Sequence, residues 1–412
     1  MTIRDLNLFS EFGARLQMDE SIELTIQSMQ AYGQAHDHWV IAWSGGKDST
    51  ATLTLIVWLI TSGKIPAPKR ITVLYADTRM ELPPLAIAAM QIMDELAERG
   101  IECHIVRAPL DKRFLVYMLG RGVPPPNNNT LRWCTRQIKV DPMADAIAET
   151  LGEGTALTIT GVRQGESAIR DRRIEMSCGK DGAECGQGWY QQILPNSKGV
   201  RGRIATLAPL LHWRVCHVWE WLRHWAPRET FGGWSTEMIA DAYGGDEAEE
   251  TNARTGCIAC PLAQEEKALD SILHMPRWQH LAPLHELKPI YRWLREPSQR
   301  LRKSGIERLK DGSIGKNPQR MGPLTFEARL TALDQILDIQ DRVNMNCYSN
   351  GWKGDKFELI NAEEECRIRE LIAAGTWPDG WDGDEPRADQ WLPVTIYGNG
   401  AEQHDLFGLE EA

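Results

Sequence analysis

The sequence predicts an α/β fold built on a doubly wound, mainly parallel sheet. Three observations carry that prediction. Short apolar, β-branched runs recur at residues 39–43, 71–78, 101–109 and 155–163. Segments of helical length and composition, residues 51–61 and 85–99, separate the first three of them. A glycine-containing turn follows the first run directly and leads into the first of these helices. Strands that alternate with helices in this way pair in parallel, with the helices covering the faces.

Taken in order, residues 1–36 read as a helical leader, and residues 37–175 as a nucleotide-binding α/β domain. The longest apolar stretch, residues 51–60, is interrupted by Thr52 and Thr54 and is too short to span a bilayer, so it reads as a buried helix. Lys69 and Arg70 bound the second strand on one side, and Pro83 and Pro84 follow it on the other. After residue 175 the pattern changes. Residues 176–263 form a cysteine-containing insertion, rich in Gly and polar residues over 177–203, with a helix-like VCHVWEWLRHW segment after it. Residues 264–375 read as mostly helical, and residues 376–412 as an extended tail rich in Gly, Asp, Pro and Trp.

The formal net charge of −11 gives no overall attraction to nucleic acid, although a local basic groove is compatible with it. Basic residues gather at Arg163, Arg170, Arg172 and Arg173, at Lys198, Arg201 and Arg203, and at Arg292, Arg295, Arg300, Arg302, Lys303, Arg308 and Lys310. The first residues carry charges where a secretory signal needs an apolar run. A cytoplasmic chain without a membrane span is the expectation. Nine cysteines, an odd number, then favour metal, cluster or reactive-thiol roles over a disulfide framework.

The most informative segment is Ser44-Gly45-Gly46-Lys47-Asp48-Ser49, between an apolar strand and a helix. Glycines let backbone N–H groups approach phosphate oxygens, and a helix start offers free donors and the positive end of its dipole. Lys47 adds a charge and the serines add hydroxyls. The spacing is not that of a Walker A loop. It matches the PP-loop, whose enzymes attack the α-phosphate of ATP and release pyrophosphate. Asp77 ends the second strand, where open α/β sheets bind ligands. It could hold Mg²⁺ or a ribose hydroxyl, or cap a helix; Asp48 has the same choice between metal and cap. Gly161-Val162-Arg163, followed by Glu166 and Arg170, ends the fourth strand, where arginines could clamp phosphates.

Together the SGGKDS loop, Asp77-Thr78 with Glu81, and Gly161-Val162-Arg163 resemble the phosphoadenosine phosphosulfate (PAPS) reductase group. A narrower resemblance is to the DndC- and SspD-like ATP pyrophosphatases of DNA phosphorothioation. It is carried by Phe114, Val116, Gly120, Gly122, Pro124 and Pro126, then Arg132-Trp133-Cys134-Thr135 with Lys139 and Pro142. Pro209-Leu210, Val218-Trp219, Gly256-Cys257-Ile258-Ala259-Cys260 and Gly322-Pro323-Leu324 extend it. Two departures stand out. No cysteine lies between Cys216 and Cys257, where the related chains carry more, and the double cysteine of sulfonucleotide reductases is Trp133-Cys134 here. The resemblance implies an α/β fold of the adenine nucleotide alpha hydrolase type and ATP with Mg²⁺ at Ser44, Gly45, Gly46, Lys47, Asp48, Ser49, Asp77 and Gly161. It places Lys47, Asp48 and Arg163 at the reacting phosphate, with Arg132, Lys139, Glu166 and Arg170 on substrate.

The Cys257-x-x-Cys260 spacing suits two corners of an iron–sulfur cluster, or zinc. Cys178 and Cys185, in a Gly-rich loop, could complete a [4Fe–4S] cluster, with Cys134 as an alternative ligand or a sulfur-carrying thiol. Cys103, Cys216, Cys347 and Cys366 read as ordinary buried thiols. The expected reaction is adenylation of an acceptor oxygen followed by displacement of AMP by sulfur. The resemblance makes the acceptor the DNA backbone, and the partners a cysteine desulfurase and other phosphorothioation proteins. The alternatives are a sulfonucleotide reductase, RNA thiolation, and a sensor subunit that binds ATP without sulfur chemistry. The last pattern, Gln403-x-Asp405-Leu406-Phe407, is similar to peptides that dock on the replication sliding clamp.

Overall fold

The computed structural model describes residues 16–127, 131–151, 154–165, 172, 189–193, 203–245, 256–308, 311–349 and 356–404. They fall into two compact units. The first is residues 1–76, 84–106 and 143–252, and the second is residues 77–83, 107–142 and 253–412.

The first unit holds a six-stranded sheet. Its strands are β1 (His38–Trp43), β2 (Arg70–Ala76), β3 (Glu102–Val106), β4 (Thr155–Thr160), β5 (Trp189–Ile193) and β6 (Arg203–Ala208), in the spatial order β3-β2-β1-β4-β6-β5. Every neighbouring pair is parallel except β5 with β6. The α/β fold read from the sequence is therefore present, with an antiparallel strand added at one edge. That strand and β6 come from the cysteine-containing insertion, where no strand was read from the sequence. RIATLA is a short run opened by an arginine, and it becomes a strand by pairing with β4 in register, Thr155 opposite Arg203 through Ile159 opposite Leu207.

Side chains alternate across a strand, and β1 shows what each face meets. Val40 joins Leu74, Val106, Leu151, Ala156 and Ile204 in a core against which Met143, Ala146 and Ile147 pack. Met143, Ala146 and Ile147 belong to a helix, Asp141–Leu151. Trp43 points to the opposite face and donates its indole N–H to Thr50 Oγ1 at 2.9 Å. Thr50 lies on the helix Lys47–Thr61, so helices cover both faces. This is the long apolar run, and residues 50–59 are buried on every side. Its threonines are no interruption. Thr54 accepts the Trp221 indole N–H at 2.9 Å and donates to the Thr50 carbonyl at 2.8 Å. Buried hydroxyls satisfied in this way cost little, and they fix the helix whose first turn is the phosphate loop.

The second unit is mostly helical, as the sequence suggested for this part. It includes Lys267–Leu273, Leu287–Trp293, Phe326–Ser349 and Ala362–Ala373, beside a two-stranded pairing of Arg300–Arg302 with Met321–Leu324. Arg329 is fully buried and has no carboxylate partner among the described residues; burial pushes its pKa down to about 9. Its guanidinium donates to the carbonyls of Leu324 at 3.0 Å and Thr376 at 2.8 Å, and lies over the rings of Phe326 and Trp377. Gly122, at φ +75°, leaves the room: a Cβ there would lie 2.0 Å from Arg329 Nη2. In the tail, Val394–Ile396 pairs antiparallel with Glu402–His404, so Gln403 sits in a small exposed hairpin. Asp405, Leu406 and Phe407 of the clamp-like pattern lie outside the described residues. Among the described residues no helix is long and apolar enough to cross a membrane.

Candidate functional site

In the first unit β1 lies between β2 and β4, where the order of connections reverses. Open α/β sheets bind ligands at the carboxyl end of the strands at such a point. Ser44 leaves β1 there. Gly45 has φ +69° and lies close under Tyr75, so a Cβ would meet that ring at 3.3 Å. Gly46 is the N-cap of the helix Lys47–Thr61 and offers it no side-chain acceptor. The serines tie the loop to itself: Ser49 Oγ accepts the Ser44 N–H at 3.2 Å and donates to the Gly46 carbonyl at 3.0 Å. Gly161, just past β4, presses on the same turn. A Cβ on it would stand 2.7 Å from the Ser49 nitrogen and 2.8 Å from the Asp48 carbonyl carbon.

The charges are organised around Asp48. Lys47 Nζ bonds Asp48 Oδ2 at 3.0 Å, and Arg163 Nε bonds Asp48 Oδ1. Arg163 is 5% exposed, and its Nη1 donates to the Trp213 carbonyl at 3.3 Å. Two cations on one carboxylate leave the turn net positive, as a phosphate site requires. Asp48 does not cap the helix. Its two oxygens are engaged one by each cation, which leaves a Mg²⁺ ion only their remaining lone pairs. Tyr243 closes the group: the Lys47 N–H donates to its phenol oxygen at 3.3 Å, and Lys47 Nζ lies 5.1 Å from its ring centre.

The second unit gathers the other chemistry. Asp77 Oδ1 accepts the Arg79 N–H at 2.8 Å and its second oxygen pairs with Arg107, so Asp77 shapes a turn and caps no helix. Arg79, at φ +62°, is left-handed, and so is Ala259 at φ +49° in the Cys257–Cys260 turn. The two strained turns are joined by the Ile258 N–H donating to the Met80 carbonyl at 2.8 Å. Non-glycine residues in this region cost free energy and persist only where the surroundings hold them. The Cys257 thiol is pushed up to about 12, first by burial and then by the negative charge of Glu81, Cys260 and Cys134, while Lys139 acts the other way. Burial also raises Cys134, with the charge of Cys260 adding to it. Cys134, Cys257 and Cys260 thus share one neighbourhood in which a thiolate needs a cation or metal to form. Among the described residues no group of three or more His, Cys, Asp or Glu is arranged to hold a metal ion.

The loop geometry accords with what a family comparison finds. Residues 38–226 match the phosphoadenosine phosphosulfate reductase domain. Among solved structures, the chain is similar to the PAPS reductase of Candida auris, crystallised as a phosphate complex. That match has 14% identity and a TM-score of 0.30, covering 50% of this chain and 86% of that one. The FMN adenylyltransferase of Candida glabrata, with FMN and an ATP analogue, is similar at 14% identity and a TM-score of 0.28. There the coverage is 52% of this chain and 62% of that one. No curated protein matches the chain.

Within the first unit the structure brings Ser44, Gly45, Gly46, Lys47, Asp48, Ser49, Gly161 and Arg163 together around one turn. Arg132 and Lys139 are exposed near Cys134. Cys257 and Cys260 fall beyond the matched residues. Glu166, Arg170, Cys178 and Cys185 lie outside the described residues. One reading of the cysteines needs correction. Cys347 is buried and Cys103 and Cys216 are half-buried, but Cys366 is exposed. It sits on the outer face of Ala362–Ala373, one turn before Glu370, to which its thiol donates at 3.6 Å. Sequence reasoning missed Tyr243 and the Trp213 carbonyl. Neither stands at a fixed spacing from the loop, and only the fold delivers them.

Proposed function

We propose that this chain is an adenylating ATP pyrophosphatase that prepares an oxygen of the DNA backbone for replacement by sulfur. The observation that carries the reading is the positive turn Ser44–Ser49 at the sheet's switch point, with Lys47 and Arg163 fixed on Asp48. The PAPS reductase family match supports use of an adenine nucleotide. In this reading backbone N–H groups of the turn bind the phosphates, and Lys47 stabilises charge at the α-phosphorus. Arg163 holds Asp48, and through it Lys47, in place. An acceptor oxygen attacks the α-phosphorus and pyrophosphate leaves; a sulfur nucleophile then attacks the acceptor phosphorus and AMP leaves with the oxygen. Mg²⁺, carried in on the phosphates, would offset their negative charge.

Sulfur is assigned to the second unit because Cys134, Cys257 and Cys260 lie together there. An iron–sulfur cluster would draw on Cys257 and Cys260, with Cys178 and Cys185 as further ligands and Cys134 as an alternative, and no step above is routed through it. Anaerobic purification with iron and sulfide analysis is expected to return a cluster. In that case Cys257→Ser and Cys260→Ser each lower the iron content. Stoichiometric zinc, or no metal, would remove the cluster. The acceptor is tested by mass spectrometry of DNA nucleosides from cells with and without the gene and its neighbours. Phosphorothioate-linked dinucleotides present only with the intact gene are the expected result, and their absence from both would remove DNA as acceptor.

A second reading, reduction of a sulfonucleotide, is favoured by the family match itself. Sulfite release from PAPS by the purified chain with a thiol reductant would select it.

A further inference from the structure

Arg292, Arg295, Arg300 and Arg302 belong to the second unit, and none of them has a carboxylate partner among the described residues. Arg292 lies in the last turn of the helix Leu287–Trp293, and the Arg295 N–H bonds its carbonyl at 3.0 Å. Arg300 and Arg302 stand two apart on the short strand Arg300–Arg302, which puts both on one face, with the buried Leu301 on the other.

Their side chains meet backbone carbonyls where they meet anything. Arg292 donates to Gln264 at 3.3 Å, Arg300 to Gly322 at 2.9 Å, and Arg295 to Pro261 at 2.9 Å and to Pro126. The Nε groups of Arg295 and Arg302 are buried and have no hydrogen-bond partner among the described residues. Carboxylates in this region are engaged by other cations: Glu307 by Arg320 at 2.6 Å, Asp389 by Arg387 at 2.6 Å, and Glu385 by Lys303. Burial, and then the charges of Arg320 and Arg295, push the Arg300 guanidinium down to about 10. Arg295 is pushed down as well, by burial first and then by Arg292.

Gathered like charges and unmet buried donors both cost free energy until an anion answers them. One phosphate would answer one guanidinium fork; four forks running from a helix end onto a strand match a row of phosphates. The row starts beside the thiols, because Pro261, which Arg295 holds, follows Cys260 directly. We infer that Arg292, Arg295, Arg300 and Arg302 bind the phosphate backbone of DNA and hold it next to Cys260. The inference rests on the reading of DNA as the acceptor and gives that acceptor a docking surface, in a chain whose net charge of −11 offers DNA no general attraction.

The test is fluorescence-anisotropy titration of a labelled DNA duplex with the full-length chain over a range of salt concentrations, for the wild type, Arg302→Gln, Arg292→Gln and Arg342→Gln. The Arg302 guanidinium bonds no other group among the described residues, so its loss leaves the fold in place. Arg342, held by Glu286 and Asp338 on the helix Phe326–Ser349, removes the same charge elsewhere on the unit. Arg302→Gln and Arg292→Gln are each expected to bind about tenfold more weakly, and to lower the slope of log affinity against log salt by about one. Arg342→Gln should bind as the wild type does. Wild-type affinity and slope in Arg302→Gln and Arg292→Gln would overturn the inference and leave DNA standing as acceptor. So would weaker binding at an unchanged slope, since no phosphate contact would then have been lost. An equal loss in Arg342→Gln would overturn it too, because net charge alone would then govern binding. Tighter binding of an RNA duplex of the same sequence would overturn it in favour of RNA. A wild type that binds no DNA would remove the acceptor reading and this surface with it, a result distinct from the others.

Discussion

Lys47→Ala and Asp48→Ala are each expected to lower pyrophosphate release from ATP by at least about a hundredfold, the usual consequence of removing a fixed group that stabilises transition-state charge. The two losses have different origins. Lys47→Ala removes the ammonium itself. Asp48→Ala leaves Lys47 and the buried Arg163 without their shared carboxylate. Two like charges then face each other in a turn that had balanced them in part, and Lys47 is free to swing away. Asp48→Ala therefore carries a stability cost that Lys47→Ala does not, because an unpaired buried cation is expensive. Steady-state pyrophosphate release and thermal melts of both variants check the two halves of this expectation. Wild-type turnover in either variant would separate the loop from the chemistry.

Gly161→Ala is expected to be nearly as damaging although it adds one methyl group. The new Cβ would stand 2.7 Å from the Ser49 Cα and nitrogen and 2.8 Å from the Asp48 carbonyl carbon, all of them backbone atoms. No rotamer change relieves a clash with backbone, so the end of β4 and the phosphate turn must separate. Overpacking of this kind costs about 1–3 kcal/mol. The displaced turn also carries Asp48 away from Arg163, so ATP affinity should fall along with stability. Gly63→Ala is the control. Gly63 has φ +71° with nothing within 4 Å of a Cβ, so that substitution meets backbone strain alone; it should cost about 1–2 kcal/mol and leave ATP binding unchanged. Equal ATP affinity in Gly161→Ala and the wild type would show that β4 does not buttress the loop.

The parts of this account that were legible in the sequence are those set by local chemistry. Two glycines, a lysine and two serines between an apolar strand and a helix announce a phosphate turn, because few other structures use that combination. The first four strands were legible; β1, β2 and β4 read as apolar runs, since parallel strands covered on both faces read that way, while β3, at the sheet edge, is largely exposed. β5 and β6 were not, because RIATLA and WYQQI carry no strong pattern and become strands through pairing across the sheet. Asp48 shows the same limit within the site. The sequence left it between metal ligand and helix cap, and the fold gives it to Lys47 and Arg163, the latter 115 residues away. Tyr243 lies 196 residues from Lys47 and carries no motif. The proximity of Cys134 to Cys257 and Cys260, more than 120 residues on, likewise comes from the fold and not from any residue spacing.

In the proposed reaction the turn Ser44–Ser49 directs attack at the α-phosphorus of an adenine nucleotide. Product analysis of ATP labelled at the α-phosphate, incubated with the purified chain, Mg²⁺, acceptor DNA and a sulfur donor, tests it most directly. AMP, free or joined to the acceptor, with an equal amount of pyrophosphate is the predicted result; ADP with orthophosphate, or intact ATP, would contradict it.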